Sequence, residues 1–199
     1  KLNDLQAQVS NEVNEYADQQ VSKEINSFSF STYQNDQLPR NVSQKNRLIN
    51  NPKTTMIKSL NTAYRNQVSS GAIMVGEDIA DPYGGAFKVT KGIQTDFPEN
   101  VISTPISEAA ITGLSIGLSV SGISTYVEIM FGDFITNSTD QIINNACKFY
   151  HMYGHKISAP VKVRAAMGGY RGYGPTHSQS LEKMFLGSEN LAVVAPTSL

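Results

Sequence analysis

Ala72-Ile-Met-Val-Gly-Glu-Asp78 is the stretch on which the fold turns. Four apolar residues run without a polar break and end on a glycine and two acids. That is how a short parallel strand reads when both its faces are covered and its C-terminal edge meets solvent. Working outward, similar runs recur at Val101-Ile-Ser103, Ser124 to Ile129, Pro160-Val-Lys-Val-Arg164 and Leu191-Ala-Val-Val-Ala195. Residues 79–95 hold glycines, Pro82 and Tyr83 and read as a loop. Ser107 is a plausible N-cap for a helix to about Ser121, with Ile111, Leu114 and Leu118 inward and Gly122 stopping it. A long helix is expected from about Phe134 to Tyr153 and a short one around Ser178–Phe185. Between β-type and helical segments lies a loop with glycines at 168, 169, 172 and 174. Strands alternating with helices predict an α/β fold with a mostly parallel sheet and helices on both faces. Ligands of such sheets sit beyond the carboxyl ends of the strands. Glu77, Asp78, Arg164 and His177 fall there or in the loops that follow.

Toward the N-terminus, Leu2, Leu5, Val9, Val13 and Tyr16 recur at helical spacing. Residues 27–52 are rich in Asn, Gln and Ser and read as a linker, and a second amphipathic helix is expected over 54–68 with Met56, Leu60 and Tyr64 on its buried face. The 199 residues suffice for one α/β domain with an appendage. Sixteen lysines and arginines against 17 acids leave no basic stripe of the kind that neutralises nucleic-acid phosphates. Cys147 is the one cysteine, so neither an internal disulfide nor a thiolate zinc cluster is expected. The first twenty residues lack the apolar core of a signal peptide. The apolar run Ala109–Ile123 is too short and too rich in Ser and Gly to span a membrane. Asn41-Val-Ser and Asn137-Ser-Thr match a glycosylation pattern, a match that has no meaning if the protein is cytoplasmic, as these features lead us to expect.

Five segments carry a resemblance. They are Gly76 to Gly92, Thr104-Pro-Ile-Ser-Glu108, Glu128-Ile-Met-Phe-Gly-Asp-Phe134 followed by Asp140-Gln141, Gly168-Gly169 followed by His177-Ser-Gln-Ser180, and Val193-Val-Ala-Pro196. In order and spacing they resemble the beta subunit of thiamine-diphosphate-dependent 2-oxo acid dehydrogenases. The resemblance covers the chain from about Thr54 to the end. It implies a doubly wound, transketolase-like pyrimidine-binding domain over 54–199, with 1–53 a helix plus linker. Residues 1–26 also resemble the last helix of the family's alpha subunit, which would make the parent protein an alpha–beta fusion. The family's beta subunit continues into a C-terminal domain that this chain does not include. The Gly-Asp-Gly sequence that holds the diphosphate through a metal ion does not occur here. Thiamine diphosphate and Mg2+ are therefore expected to be completed by an alpha-subunit-like diphosphate-binding domain, and this chain alone is expected to be inactive.

The same resemblance suggests site residues. Thiamine must lose a proton from its thiazolium carbon, and a carboxyl group hydrogen-bonded to the aminopyrimidine ring makes that possible. Glu108 occupies that position; without the resemblance it would be an ordinary first-turn helix acid. His177 is implied to line the substrate and lipoyl entrance, where an imidazole can give or take a proton near neutral pH; otherwise it caps the next helix. Phe134 corresponds to the aromatic that packs on the pyrimidine, whereas Phe131 reads as core. Asp78 is a candidate cofactor-side residue in an acidic relay linking paired active sites, or a solvated strand-end acid. Asp140 and Gln141 read as structural hydrogen-bonders or subunit contacts, Arg164 as the partner of a buried acid, and His151 and His155 as surface residues. The glycines at 168–174 lack the Gly-Lys-Ser/Thr of a phosphate loop.

Three functions follow as alternatives. The first is oxidative decarboxylation of a 2-oxo acid, with acyl transfer to lipoyl on a partner acyltransferase, inside a homo- or hetero-oligomer. The second is a transketolase-like or deoxyxylulose-phosphate-synthase-like transferase. The third is a non-catalytic assembly module. Pyruvate, branched-chain 2-oxo acids and acetoin are all compatible with the first. Neither nucleic acid nor membrane is an expected partner.

Overall fold

The structure, a computed structural model, describes Asn11 and residues 54–196. The helix expected at Leu2–Tyr16 and the linker at 27–52 lie outside the described residues, Asn11 excepted, which is helical. The elements below fall within the compact unit Ile49–Leu199.

Helix α1 (Met56–Ser69) begins where Thr55 accepts a hydrogen bond from the Lys58 amide through its hydroxyl, at 3.3 Å. This satisfies one of the amides the first turn leaves open. Tyr64 and Val68 are buried, while Met56 and Leu60 are only half-buried. Strand β1 (Ile73–Glu77) follows, then a long loop containing a 3-10 turn at Ala86–Lys88 and the short helix α2 (Ile93–Asp96). Strand β2 (Val101–Thr104), helix α3 (Glu108–Val120) and strand β3 (Thr125–Ile129) come next. After β3 the chain makes a 3-10 turn at Gly132–Ser138, a π-helical turn at Gln141–Ala146 and helix α4 (Phe149–Met152) before strand β4 (Lys162–Ala165).

The four strands form one sheet in the order β2-β1-β3-β4, every pair parallel. From β1 the chain goes to one side for β2 and returns across β1 to place β3 on the other. This reversal is the point at which a doubly wound sheet opens a crevice for ligands.

Alternation along the strands divides the core. Met74 and Tyr126 face α1, in a cluster with Tyr64, Val68, Ile79, Val89, Ile93 and Val101. Ile73, Val75, Val127 and Ile129 face the other way, with Ile111 and Leu118 of α3 and with Phe134. Helices thus cover both faces, as expected. Full burial of a side chain such as Val68 contributes about 1.5–3 kcal/mol. Gly76 is a position where no side chain fits, since a Cβ there would stand 2.6 Å from the Glu128 carbonyl oxygen.

Four expectations are corrected. The long helix from Phe134 to Tyr153 is broken into three pieces, because its polar residues bond to backbone carbonyls in place of the helical ladder. The Thr136 hydroxyl donates to the Asp133 carbonyl and the Asn145 amide to the Asp140 carbonyl. Leu191–Ala195 is not a strand; Leu191 and Val193 pack on Ile135, Ile142, Cys147 and Phe185, but the backbone joins no ladder. The helix expected at 178–185 is a single 3-10 turn, Glu182–Met184, with another, Pro175–His177, just before it. In α3, Leu114 points outward at 46% exposure, because Ile111, Thr112, Ser115 and Ser119 form the buried stripe, and the Ser107 side chain makes no capping bond.

Candidate active site

Strand β1 ends on Glu77. It shares the parity of Ile73 and Val75, so its side chain emerges on the α3 face of the sheet. Helix α3 starts at Glu108, directly after the turn that follows β2. Two carboxyl groups from different elements therefore meet at the carboxyl edge of the sheet. Both are buried, at 3% and 7% exposure. Burial pushes the Glu77 carboxyl up from its ordinary value, and the neighbouring charges of Glu108 and Asp78 push it further the same way. Glu77 Oε2 is buried and has no hydrogen-bond partner within the chain. Asp78 itself is exposed and adopts a left-handed backbone conformation with φ 55°, which turns the chain out of β1.

The backbone of Glu108 is tied to the 3-10 turn after β3. The Ser138 hydroxyl donates to the Glu108 carbonyl at 2.9 Å, and the Thr112 hydroxyl stands 2.9 Å from that of Ser138, all buried. The Asn137 side-chain amide donates to Glu108 Oε2 at 3.2 Å. Phe134 lies on the same turn, half-buried against Val75, Ile111 and Val127.

Beyond Phe134, a set of rings gathers edge to face. His177 is 5.0 Å from Phe134 and 5.1 Å from Phe131, and Phe131 also meets Phe134, Tyr173 and Phe87 at 6.0–6.2 Å. Phe131, expected in the core, is instead the half-buried centre of this cluster, past the end of β3 and among the rings of neighbouring turns. The Arg171 guanidinium lies over the Phe87 ring at 4.8 Å. The loop carrying His177 is held from below by Asp133, whose Oδ1 accepts from the Gln179 side-chain amide at 2.8 Å and from its backbone N–H at 3.3 Å. His177 Nδ1 lies 3.0 Å from the Thr176 hydroxyl.

The structure brings Glu108 and Phe134 together through one turn, and Phe134 and His177 through ring contact. The sequence places Glu77 at the carboxyl edge without a role and shows Asn137 only in a glycosylation pattern, and it assigns Asp133 no role. Alternation along β1 carried the signal for Glu77; nothing local carried it for the other two. Arg164 does pair with a buried acid, Glu128, which also accepts from the Tyr64 hydroxyl at 2.9 Å. Asp140 accepts from Asn144 and Gln141 from Asn145, both within the helical turns. His151 and His155 are exposed, joined to each other and, from His151, to Glu189.

This sheet order, with an acid at the head of the helix after β2, coincides with a match to the family model for the transketolase pyrimidine-binding domain over residues 53–198. The chain belongs to that family. Relatives of this pyrimidine-binding domain include the pyruvate dehydrogenase E1 component subunit beta of Leifsonia xyli subsp. xyli. It is 35% identical over 146 residues, which cover 72% of this chain and 43% of that protein. The acetoin:2,6-dichlorophenolindophenol oxidoreductase subunit beta of Cupriavidus necator is 39% identical over 136 residues, 63% of this chain and 40% of that one. The 2-oxoisovalerate dehydrogenase subunit beta of Bacillus subtilis is 35% identical over 145 residues, 71% and 44% respectively. The pyrimidine-binding domain thus spans less than half the length of these relatives. Membership of this family implies thiamine diphosphate as the cofactor. Among the described residues no helix is long and apolar enough to cross a membrane.

Proposed function

We propose that this domain, spanning 54–199, is the pyrimidine-binding part of a 2-oxo acid dehydrogenase component that decarboxylates a 2-oxo acid and passes the acyl group to lipoyl on a partner acyltransferase. The observation that carries this is Glu108, a buried carboxyl at the topological reversal of the sheet with one oxygen bonded and the other open. The residues fit an aminopyrimidine. A carboxyl for a ring nitrogen, a flat apolar face at Phe134 and a second buried acid with an orphaned oxygen are what such a polar, planar group needs.

Thiamine diphosphate, which Glu108 and Phe134 would hold by its pyrimidine, would supply the carbon nucleophile for a 2-oxo group. The work of this chain is to prepare for that. Glu108 gives a proton to the ring nitrogen, its O–H bond breaking as the N–H bond forms, and takes it back later. Glu77, the second buried acid at this edge, leaves Oε2 open to a polar group of the ring. Phe134 fixes the plane of the ring. His177, wedged between two aromatic rings, donates a hydrogen bond or proton to the acyl acceptor. Asp78, exposed beside Glu77, is proposed as the outer end of the acidic relay. Mg2+ and the diphosphate are assigned to an alpha-subunit-like partner domain, with the site at a subunit seam in an oligomer located in the cytoplasm. Residues 1–53 are proposed as the helix and linker that lead into this domain.

Glu108→Gln tests this. In the complete protein that carries this chain, the variant should fold normally yet lose most decarboxylation of pyruvate or branched-chain 2-oxo acids. Retention of full activity would overturn the assignment. Activity on ketose phosphates in its place would favour a transketolase-like transferase, and no thiamine diphosphate binding by either form would favour an assembly module.

A further inference from the structure

The sequence offers Asn137-Ser-Thr only as a chance glycosylation match, yet the structure gives Asn137 a specific contact. Its amide donates to Oε2 of Glu108 at 3.2 Å, and among the described residues no donor reaches Oε1. The contact does not arise from a side chain hanging in solvent by accident. Asn137 is held at this spot by its neighbour Ser138, whose hydroxyl bonds the Glu108 carbonyl and sits 2.9 Å from the Thr112 hydroxyl one turn into the same helix. The turn and the first turns of the helix are thus joined three times, through the Glu108 carbonyl, the Thr112 hydroxyl and the Glu108 carboxyl.

We propose that Asn137 is a positioning residue that decides which oxygen of Glu108 carries the exchangeable proton. An amide N–H can only donate. It therefore bonds a carboxylate oxygen or, in a carboxylic acid, the carbonyl oxygen, a much stronger acceptor than the hydroxyl oxygen. With Oε2 committed to Asn137, the proton resides on Oε1, the oxygen left open to the cofactor ring. Asn137 also fixes the carboxyl plane, so that Oε1 is presented without a search over rotamers. This rests on the proposed role of Glu108, and it assigns Asn137 no contact with cofactor or substrate.

The test is a calorimetric titration of thiamine diphosphate, with Mg2+, into the complete protein that carries this chain, comparing Asn137→Ala, Asn137→Asp, Asn137→Gln and Glu108→Gln. Losing the orientation of Glu108 weakens its own hydrogen bond to the ring, which predicts about tenfold weaker binding for Asn137→Ala. Asn137→Asp has the same volume but presents a second carboxylate, which cannot donate and repels Glu108, so it should bind still more weakly. Asn137→Gln keeps the donor on a longer arm and should recover part of the loss. The rate should fall in the same order, with KM for the 2-oxo acid unchanged. Because Asn137 is exposed, thermal melting should barely move. A merely structural asparagine would make Asp equal to Asn and would move the melting curve. If Asn137→Ala or Asn137→Asp binds as tightly as the parent while Glu108→Gln is impaired, the proposal fails and the role of Glu108 stands. If Glu108→Gln also leaves binding and activity unchanged, both fall.

Discussion

Glu128 is 1% exposed in the middle of the sheet, and burial pushes its carboxyl up from the ordinary value despite the opposing pull of Arg164 and the hydrogen bonds from Arg164 and Tyr64. Replacing Arg164 by Met removes the only positive group bonded to it among the described residues and leaves a buried, half-satisfied acid. Breaking a fully buried ion pair costs about 3–5 kcal/mol. Here the Arg164 side chain is 28% exposed, so water already screens part of its attraction. A cost of about 2–3 kcal/mol near neutral pH is the figure to expect. For a domain of this size that lowers the melting temperature by roughly 5–10 °C.

The pH dependence gives the prediction its sharper form. A carboxyl whose folded-state value is raised binds its proton more tightly when folded, so it supports stability below its unfolded value and loses that support as pH rises through the folded one. Arg164→Met raises the folded value further. The variant's deficit should therefore shrink as pH falls toward about 5 and grow toward about 8. Adding Glu128→Gln should recover most of the loss, because the amide oxygen still accepts from Tyr64 and no charge is left behind. Urea unfolding across this range, on the two variants and the parent, reads all three quantities. A deficit independent of pH, or a double variant no better than the single one, would mean that Arg164 acts through its packed stem and that the ion pair contributes nothing.

Glu77→Gln should flatten the pH dependence of stability. The raised Glu77 carboxyl loses its support as pH rises, and an amide cannot ionise, so the variant should overtake the parent above neutral pH in the same unfolding assay. Asp81 behaves in the opposite sense. The Thr95 hydroxyl and then the Gly92 backbone N–H hold its carboxyl below the ordinary range, so its contribution is present at neutral pH and lost as pH falls through that lowered value. Asp81→Asn should cost about 1 kcal/mol at pH 7 and almost nothing in strong acid, measured by thermal melting.

Much of the sheet was legible because buried parallel strands leave a mark that needs no tertiary knowledge. Val75 and Val127 are covered on the α3 side, and Met74 and Tyr126 on the other, so the runs at Ile73–Glu77 and Thr125–Ile129 stand out against polar surroundings. Leu191–Ala195 shows the limit of that signal. Its alternation is real, with Leu191 and Val193 inward and Val194 82% exposed, but alternation records which side chains meet a core and not whether a neighbouring backbone is free to pair. The segment after Phe131 failed for a different reason. Its apolar residues Ile135, Ile142 and Ile143 have near-helical spacing, while Thr136, Asn145 and Ser138 spend their hydrogen bonds on carbonyls and break the ladder. Composition shows such residues; it does not show which acceptors lie in reach.

The candidate site divides along the same line. Glu108 and His177 belong to the short segments that carry the family resemblance, so a linear reading reaches them as candidates. Glu77 requires one more step, since it is parity along β1 that turns it toward α3 while Asp78 is turned out to solvent. Asn137 and Asp133 require the fold itself. Asn137 lies 29 residues from Glu108 and Asp133 lies 46 from Gln179, and both contacts exist because the turn after β3 is pressed between the head of α3 and the histidine loop. That turn is therefore the element on which the site depends most. It carries Phe134, holds one oxygen of Glu108 and anchors the loop of His177, so a change in its backbone would move all three together, whereas a change at any one side chain should leave the other two in place.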